Sequence, residues 1–195
     1  MGRSASIERA TKETDVKVKL DLDEPSEVSI DTGVGFFDHM LSLMAGHGAM
    51  SLIVKAEGDL EVDSHHTVED VGICFGQAMK KALGDLRGIR RYGQAALPMD
   101  EALAEVALDI SNRPYLAFNV AFAPDAFPEF DVQVFKEFLR AFTLHAGITL
   151  HINLLYGENT HHILEAVFKG LGRALREAVS LDSRIKDVPS TKGVL

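Results

Sequence analysis

The segment 65–82 recurs 96 positions later in the chain. At that offset seven of eighteen residues coincide: His65/His161, His66/His162, Glu69/Glu165, Val71/Val167, Gly76/Gly172, Ala78/Ala174 and Ala82/Ala178. Two amphipathic helices share apolar and small letters by composition alone. They do not share two adjacent histidines and a carboxylate in register. Duplication of one structural unit is the simplest source, and it restricts the chain to folds made of two similar halves.

The hydrophobic pattern gives each half the same order of elements. Residues 14–22 alternate, with Val16, Val18, Leu20 and Leu22 on one side and Asp15, Lys17, Lys19 and Asp21 on the other, which predicts a half-buried strand. Pro25 and Ser26 break it, and 27–32 reads as the returning strand of a hairpin. After Gly33 and Gly35, 36–45 has helical spacing, 51–56 reads as a strand and 67–83 as a helix. The second half follows with strands at 105–110 and 115–122 around the turn 111–114, a helix at 132–144, a strand at 148–155 and a helix at 160–180. The expected class is α+β, with two β-β-α-β-α halves and helices packed on mostly antiparallel sheets. The halves span about 9–87 and about 91–182. No long Gly/Ser linker separates them, so they are expected to pack as one unit, followed by a tail at 183–195.

Composition narrows the partners. Of 195 residues 46% are apolar and 25% charged, the balance of an ordinary globular protein with a core of its own. The net charge of −9, without a basic stripe, argues against nucleic acid. No apolar run approaches the roughly 20 residues that cross a bilayer, so no membrane partner is expected. The lone Cys74, on an apolar helix face, reads as an inert buried thiol and fits a reducing compartment. The first ten residues lack the apolar core of a secretory signal, and the expectation is cytoplasmic. Met1-Gly2 with Ser6 matches a myristoylation pattern that is too loose to carry weight.

The duplicated motifs read His65-His66-Thr67-Val68-Glu69 and His161-His162-Ile163-Leu164-Glu165. Residues four apart share a helical face, so His65 with Glu69, and His161 with Glu165, can each share a metal. Adjacent residues diverge by about 100°, so the two histidines of one motif do not easily bind one ion. If the motifs face one another the pairing becomes reciprocal: His65, Glu69 and His162 hold one ion, and His161, Glu165 and His66 the other. His39, on the preceding helix, is a fourth ligand for the second ion. A shift of 98 or 99 positions brings His39 to Glu137 or Phe138, of which only Glu137 can coordinate. Imidazole and carboxylate donors without thiolate favour Mn, Fe or Zn, and three or four protein ligands leave room for substrate. Against this stands the ordinary preference for polar residues at helix starts, which two copies in register do not fit.

These motifs, with Arg9-Ala10-Thr11-Lys12-Glu13-Thr14, Gly35-Phe36-Phe37-Asp38-His39-Met40-Leu41, Arg91-Tyr92-Gly93, Asp109-Ile110-Ser111-Asn112-Arg113-Pro114 and Pro189-Ser190-Thr191-Lys192-Gly193-Val194-Leu195, make a specific set. Together they resemble the imidazoleglycerol-phosphate dehydratase family, from about residue 9 to 195. The resemblance implies two similar halves like the second domain of ribosomal protein S5. It implies two Mn2+ per active site and a homo-oligomer of 24 subunits with sites between subunits. The family's metal positions fall on His39, His65, His66, Glu69, His161, His162 and Glu165. Many members have a histidine where Glu137 stands. Phosphate-binding positions fall on Arg91, Arg113, Lys169, Ser190, Thr191 and Lys192, and His47 resembles a substrate contact. The same side chains that hold the ions contact the phosphorylated imidazole substrate. Asp21-Leu22-Asp23 superficially matches the Asp-x-Asp of a phosphatase domain fused to some relatives, but it ends a strand and no residues remain for such a domain.

The implied reaction removes water from D-erythro-imidazole-glycerol phosphate to give imidazole-acetol phosphate. A ring held by both nitrogens can push out the neighbouring hydroxyl through a diazafulvene-like intermediate, with the ions as template and Lewis acids. A carboxylate must take the carbon-bound proton. Glu13 is the candidate through the match to Thr11-Lys12-Glu13-Thr14, and Glu165 is the alternative acid or base. Two other readings compete: a dinuclear metal phosphoester hydrolase, and a non-catalytic metal-binding assembly protein with no use for Glu13, Arg91, Arg113 or Lys192. His145 and His151 are expected to serve packing.

Overall fold

A computed structural model describes residues 2–122 and 131–195. The first half runs β1 (Ser4–Ala10), β2 (Thr14–Asp21), β3 (Val28–Asp31), α1 (Gly35–Gly48), β4 (Ser51–Gly58) and α2 (His65–Leu83). The second runs β5 (Tyr92–Met99), β6 (Ala102–Asp109), β7 (Tyr115–Asn119), α3 (Gln133–Ala146), β8 (Thr149–Tyr156) and α4 (Thr160–Val179). The β-β-α-β-α halves are present, each opened by one further strand.

The two sheets have the same order, β1-β2-β4-β3 and β5-β6-β8-β7. In β2 the alternation falls as read, with Val16, Val18 and Leu20 buried. The hairpin at 27–32 does not form. β3 pairs in parallel with β4, Val28 opposite Leu52, while β2 is flanked on both edges by antiparallel β1 and β4. With both edges of β2 taken, the chain after Pro25 crosses to the far side of β4, and α1 makes the parallel connection. The second half repeats this: the turn at 111–114 leads to β7, which pairs in parallel with β8, Tyr115 opposite Thr149.

The helices lie between the sheets and interleave. α2 packs on β1 and β2, and α4 on β5 and β6; α2 then packs against α3, and α1 against α4. Both of these extensive helix–helix contacts therefore join the two halves. Six phenylalanines from all four helices fill the middle: Phe37, Phe75, Phe135, Phe138, Phe142 and Phe168 are at most 1% exposed. Phe75 stacks on Phe142 at 4.8 Å, and Phe37 meets Phe138 edge-on at 5.1 Å. Cys74 is buried there, and burial pushes its thiol up to about 11, as expected of an inert thiol.

Two duplicated glycines set how close these helices come. A Cβ on Gly76 would stand 2.7 Å from the Phe142 carbonyl oxygen and 3.0 Å from the Ala146 nitrogen. A Cβ on Gly172 would strike the Met44 carbonyl oxygen and stand 2.9 Å from the Gly48 nitrogen. The obstacles are backbone atoms, which cannot swing aside. The equivalence of Met44 with Phe142, and of Gly48 with Ala146, is an offset of 98. It pairs His39 with Glu137; Phe138 is core.

Replacing Gly172 by Ala should lower the thermal unfolding midpoint by several degrees, in line with about 1–3 kcal/mol for overpacking. Gly46 in α1 faces open space. Gly46→Ala should leave the midpoint unchanged or raise it, through helix propensity. Equal midpoints for the two variants, read by calorimetry, would refute the close-approach argument.

Candidate metal centre and active site

The N-terminal end of α4 is built to present its histidines. The Asn159 side chain caps it, accepting from the His161 and His162 amides at 2.9 and 3.3 Å. One turn on, Glu165 is buried, and its Oε1 lies 3.0 Å from Nε2 of both His39 and His161. His39 arrives from α1, which the glycine contact holds against α4. Lys169, one further turn along, donates to Glu165 Oε2. Burial alone would raise the Glu165 carboxyl, but the bonds from Lys169, His39 and His161 outweigh it and hold the group at about 2. The result is a permanent carboxylate facing two imidazole nitrogens. Among the described residues these three form the one group of His, Cys, Asp or Glu whose donor atoms all lie within 4.8 Å of one another. The His39 and His161 side chains are 43% and 40% exposed, so the cluster opens outward on its histidine side. Donor type and convergence fit a borderline divalent ion such as Mn, Fe or Zn.

The first-half motif is looser. His65 Nε2 stands 4.0 Å from Glu69 Oε2. Glu137, the positional counterpart of His39, turns its carboxylate to Arg140 at 3.0 Å. His66 and His162 are each held through Nδ1, His66 by Asp59 at 3.0 Å and His162 by Glu101 at 2.6 Å. These bonds raise both imidazole pKa values, and Glu101 in turn is held at about 2 by His162 and the Asn159 amide. A carboxylate on Nδ1 favours the tautomer that leaves Nε2 as the metal-binding atom. Glu13, in the β1–β2 turn, lies 4.0 Å from His66.

Among the described residues no hydrogen bond or ion pair joins His65, His66 or Glu69 to His161, His162 or Glu165. The reciprocal set is not assembled within one chain.

A third group gathers around the tail. Arg91, Arg113, Ser190, Thr191 and Lys192 line one open cavity with Tyr92, Pro189 and the last two residues. Arg91 is buried and has φ of 74°. It donates to both Asp109 carboxylate oxygens, at 2.6 and 3.0 Å, and to the Pro189 carbonyl at 2.8 Å. Three of its five N–H groups are thus used, and two remain. The Arg113 side chain is 67% exposed, 3.5 Å from Asp109. Lys169 does not join this group; it stands at the Glu165 cluster. His47 is near it, and burial first, then the charges of Lys169 and Arg173, push its pKa down. His145 packs with its Cβ against Gly76, and the His151 ring lies 5.9 Å from Tyr115. Both make packing contacts. The residues that sequence reasoning missed are Asp59, Glu101 and Asp109, which hold His66, His162 and Arg91. Only Asp109 carried a signal, as the first residue of a motif that also contains Arg113.

Comparison with known proteins places this architecture. A profile described as "Imidazoleglycerol-phosphate dehydratase" matches residues 32–175. The imidazoleglycerol-phosphate dehydratase of Syntrophus aciditrophicus is 56% identical over 194 residues, covering 99% of this chain and 98% of its own. That of Clostridium botulinum strain Langeland is 56% identical over 191 residues, covering 98% of this chain and 97% of its own. The crystal structure of the Staphylococcus aureus N315 enzyme superposes with a TM-score of 0.83 at 40% identity, covering 92% of this chain and 99% of that one. The Pyrococcus furiosus enzyme, in complex with (S)-C348, superposes at 0.81 and 39% identity, covering 97% of this chain and all of that one. With the profile spanning most of its length and these relatives nearly all of it, this chain belongs to the imidazoleglycerol-phosphate dehydratase family.

Proposed function

We propose that the chain is a metal-dependent hydro-lyase of histidine biosynthesis. It converts D-erythro-imidazole-glycerol phosphate to imidazole-acetol phosphate with two Mn2+ per site, each site closed between copies in a 24-subunit homo-oligomer. The observation that carries the metal dependence is the convergence of Glu165 Oε1 with the Nε2 atoms of His39 and His161 in a chain of this family. Closure between copies is supported by His66 and His162, each oriented through Nδ1 and, among the described residues, joined to the other motif by no hydrogen bond or ion pair; in the single chain His162 Nε2 faces Asp100 at 3.8 Å. His39, His161 and Glu165 would hold one ion with a neighbour's His66; His65 and Glu69 would hold the other with a neighbour's His162. Bound ions would supply Lewis acidity at the two ring nitrogens and so ease departure of the neighbouring hydroxyl.

The chain's own residues do the rest. Glu13 stands beside His66 with a 58% exposed side chain, within reach of a substrate held there, and takes the proton from carbon. Glu165, held ionised, serves as ligand; its three bonded neighbours, His39, His161 and Lys169, leave it little capacity as the base. Arg113, Lys192 and the remaining N–H groups of Arg91 bind the phosphate with the hydroxyls of Ser190 and Thr191. Lys169 offsets the charge at Glu165. Asp109 keeps the Arg91 fork planar to the tail, so tail and phosphate site form together. No described helix is long and apolar enough to cross a membrane. The proposed setting is the cytoplasm, with no membrane or nucleic-acid partner.

Chelator-treated protein should form imidazole-acetol phosphate only after manganese is restored. Glu13→Gln should lower kcat about 10²–10⁴-fold while the bound metal, measured by elemental analysis, is retained. Release of phosphate from p-nitrophenyl phosphate, without dehydration of the imidazole substrate, would favour the hydrolase instead.

A separate consequence concerns assembly. Because the ligands of each ion come from more than one copy, chelation should convert the large particle into smaller species in sedimentation velocity, and manganese should restore it. An unchanged sedimentation coefficient would overturn closure between copies.

A further inference from the structure

We infer that Asp70 is a positioning residue for Glu13. Through Thr14 and Arg9 it clamps the β1–β2 turn onto α2, and so fixes where the Glu13 carboxylate stands relative to His66. The inference rests on the reading of Glu13 as the base.

A glutamate in a three-residue turn, more than half exposed, has no intrinsic reason to stay in one place. Its backbone is fixed locally. Thr11 Oγ1 accepts from the Glu13 and Thr14 amides at 3.1 and 3.0 Å, and the Glu13 carbonyl accepts from the Asp59 amide at 3.1 Å. The link to α2 is made by Asp70. Its Oδ2 accepts from Thr14 Oγ1, and its Oδ1 lies 3.2 Å from an Arg9 guanidinium nitrogen. Thr14 and Asp70 are only 4% and 8% exposed. Asp70 follows His66 by four residues, so the helical face that presents His66 also grips the turn.

The duplication provides an internal control. Sheet register pairs Val16 with Arg9 in the first half and Ala104 with Leu97 in the second. It pairs Leu20 with Leu52 and Leu108 with Leu150. Carried along the strands, Arg9 and Thr14 correspond to Leu97 and Ala102, and the 96-residue offset pairs Asp70 with Ala166. Where the first half has Arg, Thr and Asp, the second has Leu, Ala and Ala, and it packs the equivalent helix on an equivalent hairpin that differs by a register shift at Leu103/Ala104. The fold therefore does not require the polar set. A buried carboxylate is unfavourable unless paired, so its presence in one copy asks for a use beyond packing.

The matching turns show what that use is. Glu13 corresponds to Glu101. The Glu101 carboxylate is engaged by His162 at 2.6 Å and by the Asn159 and Glu158 amides at 2.8 and 3.3 Å. It needs no other anchor and is not free to react. In the first half Asp59 takes over the histidine and Asp70 takes over the anchoring. Glu13 is left held in place but unspent.

The test is Thr14→Val, which removes the hydroxyl and keeps the shape. The expected result is a fall in kcat of about tenfold or more, with KM and bound manganese within about twofold of the parent, because only the placement of the base is loosened. Thr14→Ser should restore kcat to within about threefold. As a second variant, Arg9→Leu/Thr14→Ala/Asp70→Ala installs the set that the other half already packs. It should fold, by circular dichroism, and lose about 100-fold in kcat. Parent-like kcat in both Thr14→Val and the triple variant would overturn the inference, as would loss of manganese in step with activity. An inactive parent would instead defeat the proposed function. An active Glu13→Gln would defeat the assignment of the base.

Discussion

The arrangement depends on how closely α1 and α4 approach. Gly172 admits the backbone of α1 at Met44 and Gly48, where a single methyl group would not fit. His39 lies nine residues before Gly48, and Glu165 seven before Gly172. At 1.5 Å per residue, the Glu165 carboxylate and the His39 imidazole both sit about two turns up the same contact. The distance between His39 and Glu165 is therefore set by helix packing, not by any loop. The same construction holds α2 on α3 at Gly76, with Glu69 and Glu137 at the matching heights. Close-packed backbones are stiff, which suits an ion whose donors must stay within tenths of an ångström.

That packing also determines the electrostatics. A net charge of −9 makes this an unpromising host for a phosphate, so the cations must be concentrated locally. Asp109 orders Arg91, and Arg91 in turn binds the Pro189 carbonyl, bringing Ser190, Thr191 and Lys192 to the same cavity. At the ligand helices the sign is reversed. Four of the motif-side histidines are hydrogen-bonded to a carboxylate: His39 and His161 to Glu165, His66 to Asp59 and His162 to Glu101. These imidazoles are thus oriented by their own chain, which would lower the ordering cost of binding an ion on the proposed function.

Much of this was legible in the sequence because periodicity and repetition report on the same residues. All four helices, the buried face of β2 and the donor triad of His39, His161 and Glu165 follow from spacing plus the duplicated motif. The opening strands escaped. β1 and β5 are edge strands, and neither carries a strong alternating run. β5 contains Pro98, which a sheet tolerates at an edge and which a sequence pattern reads as a break. The hairpin at 27–32 failed because local sequence favours pairing with the preceding strand, whereas β2 had already been claimed from both sides. The choice of Glu137 over Phe138 rests on coordinating chemistry alone, and the burial of Phe138 agrees with it. Asp59 and Glu101 were invisible for another reason. They reach their histidines across loops, and no periodic rule links residue 59 to 66 or 101 to 162.

A duplicated enzyme must keep its copies alike in one respect and different in another. An imidazole ring offers two nitrogens of similar geometry, and on the proposed function gripping both would call for two similar ends, which the copied helices resemble. The rest of the substrate is not symmetric: it has one carbon-bound proton to lose and one phosphate to hold. Two equally reactive turns would serve no purpose. The helices have kept His-His-x-x-Glu in both copies, while the turns above them have diverged, one acid committed to His162 and the other left available beside His66. Arg9, Thr14 and Asp70 occupy the same register positions as Leu97, Ala102 and Ala166 on an equivalent hairpin and helix, which differ by a register shift at Leu103/Ala104. On the proposed function, symmetric binding with asymmetric chemistry would follow from a few side-chain differences around one turn, beside local backbone differences at Asp100 and at Leu103/Ala104.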